Sequence, residues 1–396
     1  MMATKEMVAR TGNEAMAEAM RQINPDVVAA YPITPATEIV QLFANFVADG
    51  VVDTEFVTVE SEHSAMSACI GASVAGARVM TGTSSQGLIL MAEMLYIAAG
   101  MRAPIVLADV NRALSAPINI HCDHSDTMAV RDAGWVQIFS ENAQEAYDNM
   151  FQAVRIAEHP NVLLPTMVTT DGFIISHGME GIEELPDDNI KAFIGRYRPE
   201  HPLLDVDHPI TAGGLDFTDF YFEHRRQLAE AMENSRKVIA WVGQEFGEKF
   251  GRKYSFIEGY KLEDAELVMV ALGSTAGTAR AAVDLMRAKS VKAGLLKIRV
   301  FRPFPAEQII QALGKVKAVA VMDRSDGLAG MGGPVFGEIR SALYDTKNAP
   351  PIINYIYGLG GRDINVEDLL GVYTNLEKIA AGEPAKQLVA YLGVRE

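Results

Sequence analysis

Residues 77–110, ARVMTGTSSQGLILMAEMLYIAAGMRAPIVLADV, carry the pattern that decides the fold of this chain. Two short apolar runs, at 77–82 and 104–110, flank a segment at 86–100 that has the length of a helix. Runs that are apolar almost throughout, rather than at alternate positions, are typical of strands buried on both faces of a parallel sheet. The stretch therefore predicts a strand, a helix and a second strand of one such sheet.

The same alternation extends on both sides of this stretch and defines one domain. Other runs of strand length lie at 27–31, 55–59, 136–140 and 161–169, and other helical patterns lie at 36–48, 62–76 and 143–158. Strands that alternate with helices in this way are the signature of an α/β fold with a parallel sheet. We predict such a domain over residues 1–177.

Two further units follow this domain. Residues 178–262 are interrupted by four prolines, but they hold too many aromatic residues for a solvated tether, so we predict a connecting arm that packs against another surface. A helical pattern lies around 216–235 in this arm. Alternation resumes at Glu266, with strands predicted at 267–273, 292–301, 317–323 and 351–359 and helices at 277–289, 305–314 and 333–345. These elements predict a second, smaller α/β domain over 263–396 with a C-terminal helical tail.

The composition excludes several classes of protein. Thirty-five Lys and Arg residues against 51 Asp and Glu give a net charge of -16, which disfavours nucleic-acid binding. The two cysteines cannot supply the four thiolates of a [4Fe–4S] cluster. The first residues, MMATKEMVARTG, lack the apolar core of a signal peptide, and the longest apolar stretch, 87–101, is broken by Glu93. We therefore expect a cytoplasmic protein without membrane or nucleic-acid partners.

Polar residues follow four of the predicted strands. They are YPITP at 31–35, ESEHS at 60–64, TSSQG at 83–87 and NR at 111–112. Ligands bind outside the carboxyl ends of parallel strands, and the planar guanidinium of Arg112 suits a small carboxylate. Each of the first three motifs can also be explained as an ordinary helix cap. Together they predict a crevice for a small anion beside a cofactor, without identifying the cofactor.

Two other features have less specific interpretations. The loop at 113–128 contains His121, Asp123, His124 and Asp126, but their spacing matches no recognised metal motif, so we predict an active-site loop rather than a metal site. The glycine-rich stretch at 327–333 matches phosphate-binding motifs poorly and is interpreted as a permissive loop.

The two cysteines are predicted to have different surroundings. Cys69 lies in an apolar helical pattern and is expected to be buried, with an inert thiol. Cys122 lies in the polar loop, where it could be exposed and open to oxidation.

At this point a family resemblance can be named. The segments AAYPITPATEIV, VESEHSAMSACIGASVAGAR, TSSQGLILM, NRALSAPINIHCDHSD and RDAGWVQI closely resemble the alpha subunit of multi-subunit pyruvate:ferredoxin oxidoreductases, within the 2-oxoacid:ferredoxin oxidoreductase family. The resemblance covers most of residues 8–180 and continues more weakly through 266–370. It implies a domain of the type that binds the pyrimidine ring of thiamine diphosphate, followed by a domain like the C-terminal domain of transketolase.

The resemblance also implies roles for individual residues. Glu62 matches the catalytic glutamate that bonds N1′ of the cofactor's aminopyrimidine ring, with Glu60 as the alternative. Thr34 and Arg112 match the residues that bind the carboxylate of the 2-oxoacid. Further cofactor contacts are expected from Pro32, Ile33, Ser85 and Gln86.

The family's chemistry implies partner subunits. No GDG-type diphosphate motif occurs in the sequence, so a beta subunit is expected to hold the diphosphate and Mg²⁺. The iron–sulfur clusters are expected on partner subunits, and gamma and delta subunits, which can be fused, are expected to complete the enzyme. The expected reaction converts pyruvate and coenzyme A to acetyl-CoA and CO₂ and reduces ferredoxin. Three alternatives remain open: another 2-oxoacid (2-oxobutyrate, a branched-chain acid, 2-oxoglutarate or oxalate), a scaffold subunit that has lost its chemistry, and a self-contained binding protein.

Overall fold

The computed structural model describes residues 6–347 and 349–395, so the first five residues of the segment searched for a signal peptide lie outside it. The strands are β1 (Glu6–Thr11), β2 (Val27–Ala30), β3 (Glu55–Thr58), β4 (Val79–Thr83), β5 (Val106–Asn111), β6 (Val136–Phe139), β7 (Thr166–Asp171), β8 (Met179–Glu184), β9 (Ile257–Tyr260), β10 (Leu267–Ala271), β11 (Ala293–Ile298), β12 (Val300–Arg302), β13 (Ala318–Asp323), β14 (Ile352–Tyr357) and β15 (Val389–Leu392). The helices are α1 (Gly12–Ile23), α2 (Thr37–Ala48), α3 (Glu62–Ala75), α4 (Gln86–Leu90), α5 (Ala92–Gly100), α6 (Ser125–Ala129), α7 (Ala143–Ala157), α8 (Asp187–Ile194), α9 (Tyr221–Phe250), α10 (Thr275–Ala288), α11 (Ala306–Leu313), α12 (Pro334–Leu343) and α13 (Val366–Ala380).

The first sheet has seven strands in the order β12-β6-β7-β5-β4-β2-β3. All neighbours are parallel except β12, which pairs antiparallel with β6. Every residue of β4, β5, β6 and β7 is buried, as the uninterrupted apolar runs predict. Because β2, β3, β4 and β5 are parallel, the polar motifs that follow them lie at one edge of the sheet.

The second sheet has six strands in the order β15-β14-β13-β10-β11-β9, parallel except for β9. The single run predicted as a strand at 292–301 divides at Arg299: β11 belongs to the second sheet, whereas β12 joins the first sheet. The tail predicted as helical contains α13 but ends in the edge strand β15. The division of the chain at 177 and 262 stays a prediction, and β12 crosses it.

The arm contains the long helix α9, which runs over 221–250 rather than the predicted 216–235. Its buried positions, among them Leu228, Ala231, Val238 and Val242, recur every three or four residues, so one stripe of the helix packs on the first domain. The C-terminal part of α9 is therefore packed, as expected of the arm. Four aromatic residues before or at its start are instead 59–77% exposed: Phe217, Phe220, Tyr221 and Phe222.

A buried lysine joins the two sheets. Lys297, on β11, lies 2.8 Å from Glu141, 2.6 Å from Glu145 and 2.8 Å from Glu258. Burial opposes its charge, but the carboxylates of Glu145 and Glu141 raise the pKa of Lys297 above its usual value. The three glutamates lie close enough together to hold a metal ion, and the ammonium group of Lys297 lies among them.

In the described part of the chain, no helix has both the length and the apolar composition needed to cross a membrane.

Replacing Lys297 should destabilise the chain strongly. Lys297→Met leaves the carboxylate of Glu145 without a counter-ion and that of Glu141 with Arg280 alone. Breaking a buried ion pair in this way costs about 3–5 kcal/mol. The free energy of unfolding, measured by urea denaturation of the full chain, should fall by that amount. The matched control is Lys292→Met, which removes an exposed lysine paired with Glu266 and should cost less than about 1 kcal/mol. Equal losses in the two variants would contradict this account.

Candidate active site

Glu62 occupies the first position of α3, directly after the turn that follows β3. Ser61 starts the helix, because its side-chain oxygen accepts a hydrogen bond from the backbone N–H of Ser64 at 3.2 Å. Glu62 is only 6% exposed, and none of the described residues donates a hydrogen bond to its carboxylate. A buried carboxylate without a donor is costly, so this position favours a ligand that supplies one.

Gly87, in α4, forms the wall beside the Glu62 carboxylate. A Cβ atom at Gly87 would lie 2.7 Å from Oε1 of Glu62 and 2.4 Å from Oγ1 of Thr83, so only glycine fits there. The Thr83 hydroxyl is buried and has no hydrogen-bond partner among the described residues. Two polar groups without partners therefore lie next to the same glycine.

Glu60 has different surroundings from Glu62. It lies at the surface and accepts a short hydrogen bond from the hydroxyl of Ser64, which lowers the pKa of Glu60. Its carboxylate is thus already engaged within its own turn. The choice of Glu62 over Glu60 as the catalytic glutamate stays a prediction.

Thr34 and Arg112 are brought together from the ends of β2 and β5. Arg112 donates from Nη1 to the backbone oxygen of Thr34 at 2.8 Å and from Nε to that of Asn119 at 3.0 Å. Its Nη2 has no partner among the described residues. Burial lowers the pKa of Arg112, although the nearby charge of Asp126 opposes this. The two carbonyl groups fix the direction of the guanidinium and leave Nη2 for a ligand.

The other predicted contacts lie around this pair. Pro32 is exposed and Ile33 is half-buried, next to Thr34. Ser85 is buried, and its hydroxyl donates to the backbone oxygen of Ala113 at 2.7 Å and lies 2.7 Å from Oε1 of Gln86. The hydroxyl of Ser85 is therefore engaged within the protein. Contacts from Pro32, Ile33, Ser85 and Gln86 to a cofactor stay predictions.

The loop at 113–128 rests on the second domain. The side-chain amide of Asn119 donates to the backbone oxygen of Gly360 at 2.9 Å, and the N–H of Gly360 donates to Asp123 at 3.1 Å. Because Arg112 bonds the backbone oxygen of Asn119, the second domain helps to fix the guanidinium. No local pattern in the sequence predicts these contacts, since the partners lie more than 230 residues apart along the chain.

Cys122, His124 and Asp171 lie close enough to one another to hold a metal ion. However, His124 bonds Asp171 at 2.8 Å and Arg324 bonds it at 3.0 Å, so a cation already lies against this carboxylate. Burial disfavours the charge, but His124 and Arg324 hold the pKa of Asp171 well below its usual value. The absence of a metal from this loop stays a prediction.

The expectation for Cys122 was wrong, whereas that for Cys69 is confirmed. Both thiols are completely buried. Burial raises the pKa of Cys122 well above its usual value and that of Cys69 to about 12. The polar sequence around Cys122 suggested exposure, but its polar neighbours face the buried network of Asp171 and Arg324. Neither thiol is therefore placed for oxidation from solvent.

The glycine-rich loop at 327–333 precedes α12, as predicted. The carboxylate of Asp323 accepts hydrogen bonds from the N–H groups of Val335 at 2.8 Å and Phe336 at 3.0 Å. A Cβ atom at Gly333 would lie 2.2 Å from Cγ of Asp323, so glycine is required for this approach. These amides of α12 are thus already bonded within the protein.

Comparison with known families and proteins agrees with this geometry. A family profile described as pyruvate flavodoxin/ferredoxin oxidoreductase, thiamine diphosphate-binding, matches residues 18–244. A second profile, described as pyruvate:ferredoxin oxidoreductase core domain II, matches residues 265–369.

Similar proteins match nearly the whole chain. Pyruvate synthase subunit PorA of Thermotoga maritima is 56% identical over 99% of both chains. The PorA subunit of Methanocaldococcus jannaschii is 48% identical over 93% of this chain and 94% of that protein. Ketoisovalerate oxidoreductase subunit VorA of Pyrococcus horikoshii is 44% identical over 96% of both.

Solved structures confirm the predicted fold class. A 2-oxoglutarate:ferredoxin oxidoreductase from Magnetococcus marinus matches with a TM-score of 0.73 at 20% identity, over 94% of this chain and 65% of that one. A split-gene transketolase matches with a TM-score of 0.54 at 12% identity, over 94% of this chain and 98% of that one. The family profiles and the similarity to PorA subunits along the whole length show that the chain belongs to the pyruvate:ferredoxin oxidoreductase family and contains its thiamine diphosphate-binding domain.

Proposed function

We propose that the chain is the alpha subunit of a pyruvate:ferredoxin oxidoreductase, which converts pyruvate and coenzyme A to acetyl-CoA and CO₂ and passes two electrons to ferredoxin. The observation that carries this proposal is the pair Glu62 and Arg112 at two strand ends of one sheet edge, in a chain 56% identical to a PorA subunit. The reaction needs a group that binds a carboxylate and a group that bonds the cofactor ring, and the two side chains suit these tasks.

The described residues around the Glu62 carboxylate and Gly87 fit thiamine diphosphate. The Thr83 hydroxyl lacks a partner there, no described residue donates to Glu62, and glycine at position 87 lets both side chains lie against the backbone of α4. Thiamine diphosphate, when bound, supplies an acidic carbon that adds to the 2-oxo carbon and accepts the electron pair released with CO₂. Pro32, Ile33 and Gln86 are the proposed neighbours of the ring.

Glu62 is proposed to hold a proton against N1′ of the aminopyrimidine ring. Its position at the start of α3 is fixed by the Ser61 cap, and the side chain is largely buried. A buried carboxylate strengthens any hydrogen bond that it makes, because the local dielectric constant is low. Glu62 therefore orients the ring and takes up or returns the proton as the reaction proceeds.

Thr34 and Arg112 are proposed to bind the carboxylate of pyruvate. The guanidinium supplies the positive charge and a free Nη2 donor, while the exposed Thr34 side chain lies next to it. Arg112 is itself largely buried, which lowers the exposure of its charge to water and strengthens its attraction for an anion.

The remaining parts of the reaction are proposed to lie on partner subunits. A beta subunit would supply the diphosphate and Mg²⁺ site. Gamma and delta subunits, separate or fused, would complete the enzyme. Iron–sulfur clusters on the partner subunits would pass electrons to ferredoxin, because the two cysteines here are buried and too few. We propose a cytoplasmic complex of an anaerobic metabolism.

A branched-chain 2-oxoacid is the second candidate substrate. The specific observation in its favour is the 44% identity to a ketoisovalerate oxidoreductase subunit over 96% of both chains. Rates of the purified complex with pyruvate and with 2-oxoisovalerate decide between the two. If the chain binds its partner subunits but the complex turns over no 2-oxoacid, a scaffold role would be supported instead.

Replacing Glu62 should remove most of the activity while the complex still assembles. Glu62→Gln keeps the shape of the side chain but loses its ability to hold a proton, and general acid–base catalysis contributes roughly 10²–10⁴-fold. The turnover of the reconstituted complex should fall by about that factor. Glu60→Gln is the comparison: wild-type turnover in Glu62→Gln with a loss in Glu60→Gln would assign the role to Glu60.

Replacing Arg112 should weaken binding of pyruvate rather than of the cofactor. Arg112→Lys keeps the charge but loses the donors that reach Thr34 and Asn119 together. Loss of one charge-assisted hydrogen bond should raise the KM for pyruvate roughly 10- to 100-fold. Calorimetry should show unchanged affinity for thiamine diphosphate. The control is Arg131→Lys, at a partly exposed arginine outside the site. Failure of cofactor binding in Arg112→Lys would contradict the assignment.

The chain purified alone under anaerobic conditions should be colourless and inactive. Iron analysis should find no stoichiometric iron, and a viologen dye should not be reduced with pyruvate, thiamine diphosphate, Mg²⁺ and coenzyme A present. Addition of the partner subunits should restore dye reduction. Dye reduction by the iron-free chain alone would contradict the shared active site.

A further inference from the structure

The turns after β4 and β5 are joined by one buried carboxylate. The two strands are neighbours, with Thr83 opposite Asp109. Beyond their ends, the backbone N–H of Ser85 and that of Arg112 both point to Oδ2 of Asp126, at 3.0 Å and 2.9 Å. A single oxygen atom thus accepts from the proposed cofactor side and from the proposed substrate side.

The other oxygen of Asp126 is fully used as well. Its Oδ1 accepts from the side-chain amide of Asn111 at 2.9 Å and from the N–H of Thr127 at 2.8 Å. Asp126 is completely buried, and all four groups around its carboxylate are donors. An ionised carboxylate has only acceptors, so it suits this environment, whereas an amide would turn an NH₂ group towards two N–H donors in either orientation.

The turn at Ser85 needs such support. Its backbone has φ +50° and ψ -120°, a strained conformation for a residue with a side chain. Besides the bond to Asp126, the Ser85 hydroxyl donates to Ala113 at 2.7 Å, directly after Arg112. Gln86 and Gly87 follow this turn, and Gly87 is the wall of the Glu62 carboxylate. A shift at Ser85 would therefore reach Glu62.

A second buried carboxylate nearby has no such connections. Asp109, on β5, is also completely buried, but its Oδ2 accepts only from Asn111, at 3.2 Å, and its Oδ1 has no partner among the described residues. Burial and the charge of Asp126 raise its pKa well above the usual value. Asp109 thus contacts neither turn directly.

We propose that Asp126 is a positioning residue. Its carboxylate fixes the Ser85 turn and the backbone of Arg112 relative to each other, so that Gly87, beside the Glu62 carboxylate, and the guanidinium of Arg112 keep a constant relative position. The expected effect of Asp126 on the turnover of pyruvate rests on the proposed function. Asp126 does not contact substrate itself, since it is buried behind both turns.

The test compares Asp126→Asn with Asp109→Asn in the complete complex. Asp126→Asn should raise the KM for pyruvate roughly 10-fold, as expected for losing a hydrogen bond to a charged group. Hydrogen exchange should accelerate in peptides that contain the amides of Ser85 and Arg112. Asp109→Asn, the same chemical change at the neighbouring buried site, should change neither quantity by more than about twofold.

A double-mutant cycle tests whether Asp126 acts through Arg112. The rise in KM for Asp126→Asn combined with Arg112→Lys should be smaller than the product of the two single effects. A wild-type KM with unchanged exchange at both peptides in Asp126→Asn would overturn the proposal. Fully multiplicative effects on KM would also overturn it, because a merely structural carboxylate would give that result.

If the complex does not assemble with Asp126→Asn, the variant Asn111→Ala tests the proposal instead. It removes one donor from Oδ1 of Asp126 and leaves both bonds of Oδ2, so the same changes in KM and exchange should appear at smaller size. No change in either quantity would overturn the proposal. If the wild-type complex turns over no 2-oxoacid, the proposed function fails, while the exchange measurements still decide the role of Asp126.

Discussion

Asp171 is the buried anion on which the arrangement of the two domains depends. It lies at the end of β7 in the first sheet and accepts from His124 in the loop at 113–128, from Arg324 after β13, and from Ser274 at the start of α10. A charge buried this completely is stable only when it is paired and hydrogen-bonded, so the three partners must stay together. The site loop is thereby held between the domains, and with it Asn119 and the guanidinium of Arg112.

Polar groups that lack such partners mark the candidate site. The buried charges of Asp171, Asp126 and Lys297 each have several partners. Glu62 and the hydroxyl of Thr83, by contrast, are buried without donors or acceptors among the described residues. Unpartnered polar groups persist where a ligand completes them, and here they face one glycine at the sheet edge. Relatives of the chain are themselves named as subunits, which supports the proposal that a partner chain completes the site.

Much of this could be predicted from the sequence because the signals are local. Nearly continuous apolar runs produce strands buried on both faces, and the six runs predicted in the first domain all form strands of one sheet. The polar motifs after these strands had to meet, since parallel strands end at the same edge. The helix predicted at 86–100 divides into α4 and α5, and the antiparallel pair β1 and β8 was missed, because neither feature has a strong periodic signal.

The sequence was enough to predict the α/β class, the sheet edge where the proposed site lies, and Glu62, Thr34 and Arg112 as candidate residues. The groups that surround these candidate residues could be read only from the three-dimensional structure. In the structure, Cys122 is buried and β12 belongs to the first sheet rather than the second. Asp126 lies behind the turns at Ser85 and Arg112 and bonds both. The reason is physical: hydrophobic periodicity is set by neighbours along the chain, whereas the partner of a buried charge is chosen by proximity in space, over separations of 14 to more than 230 residues.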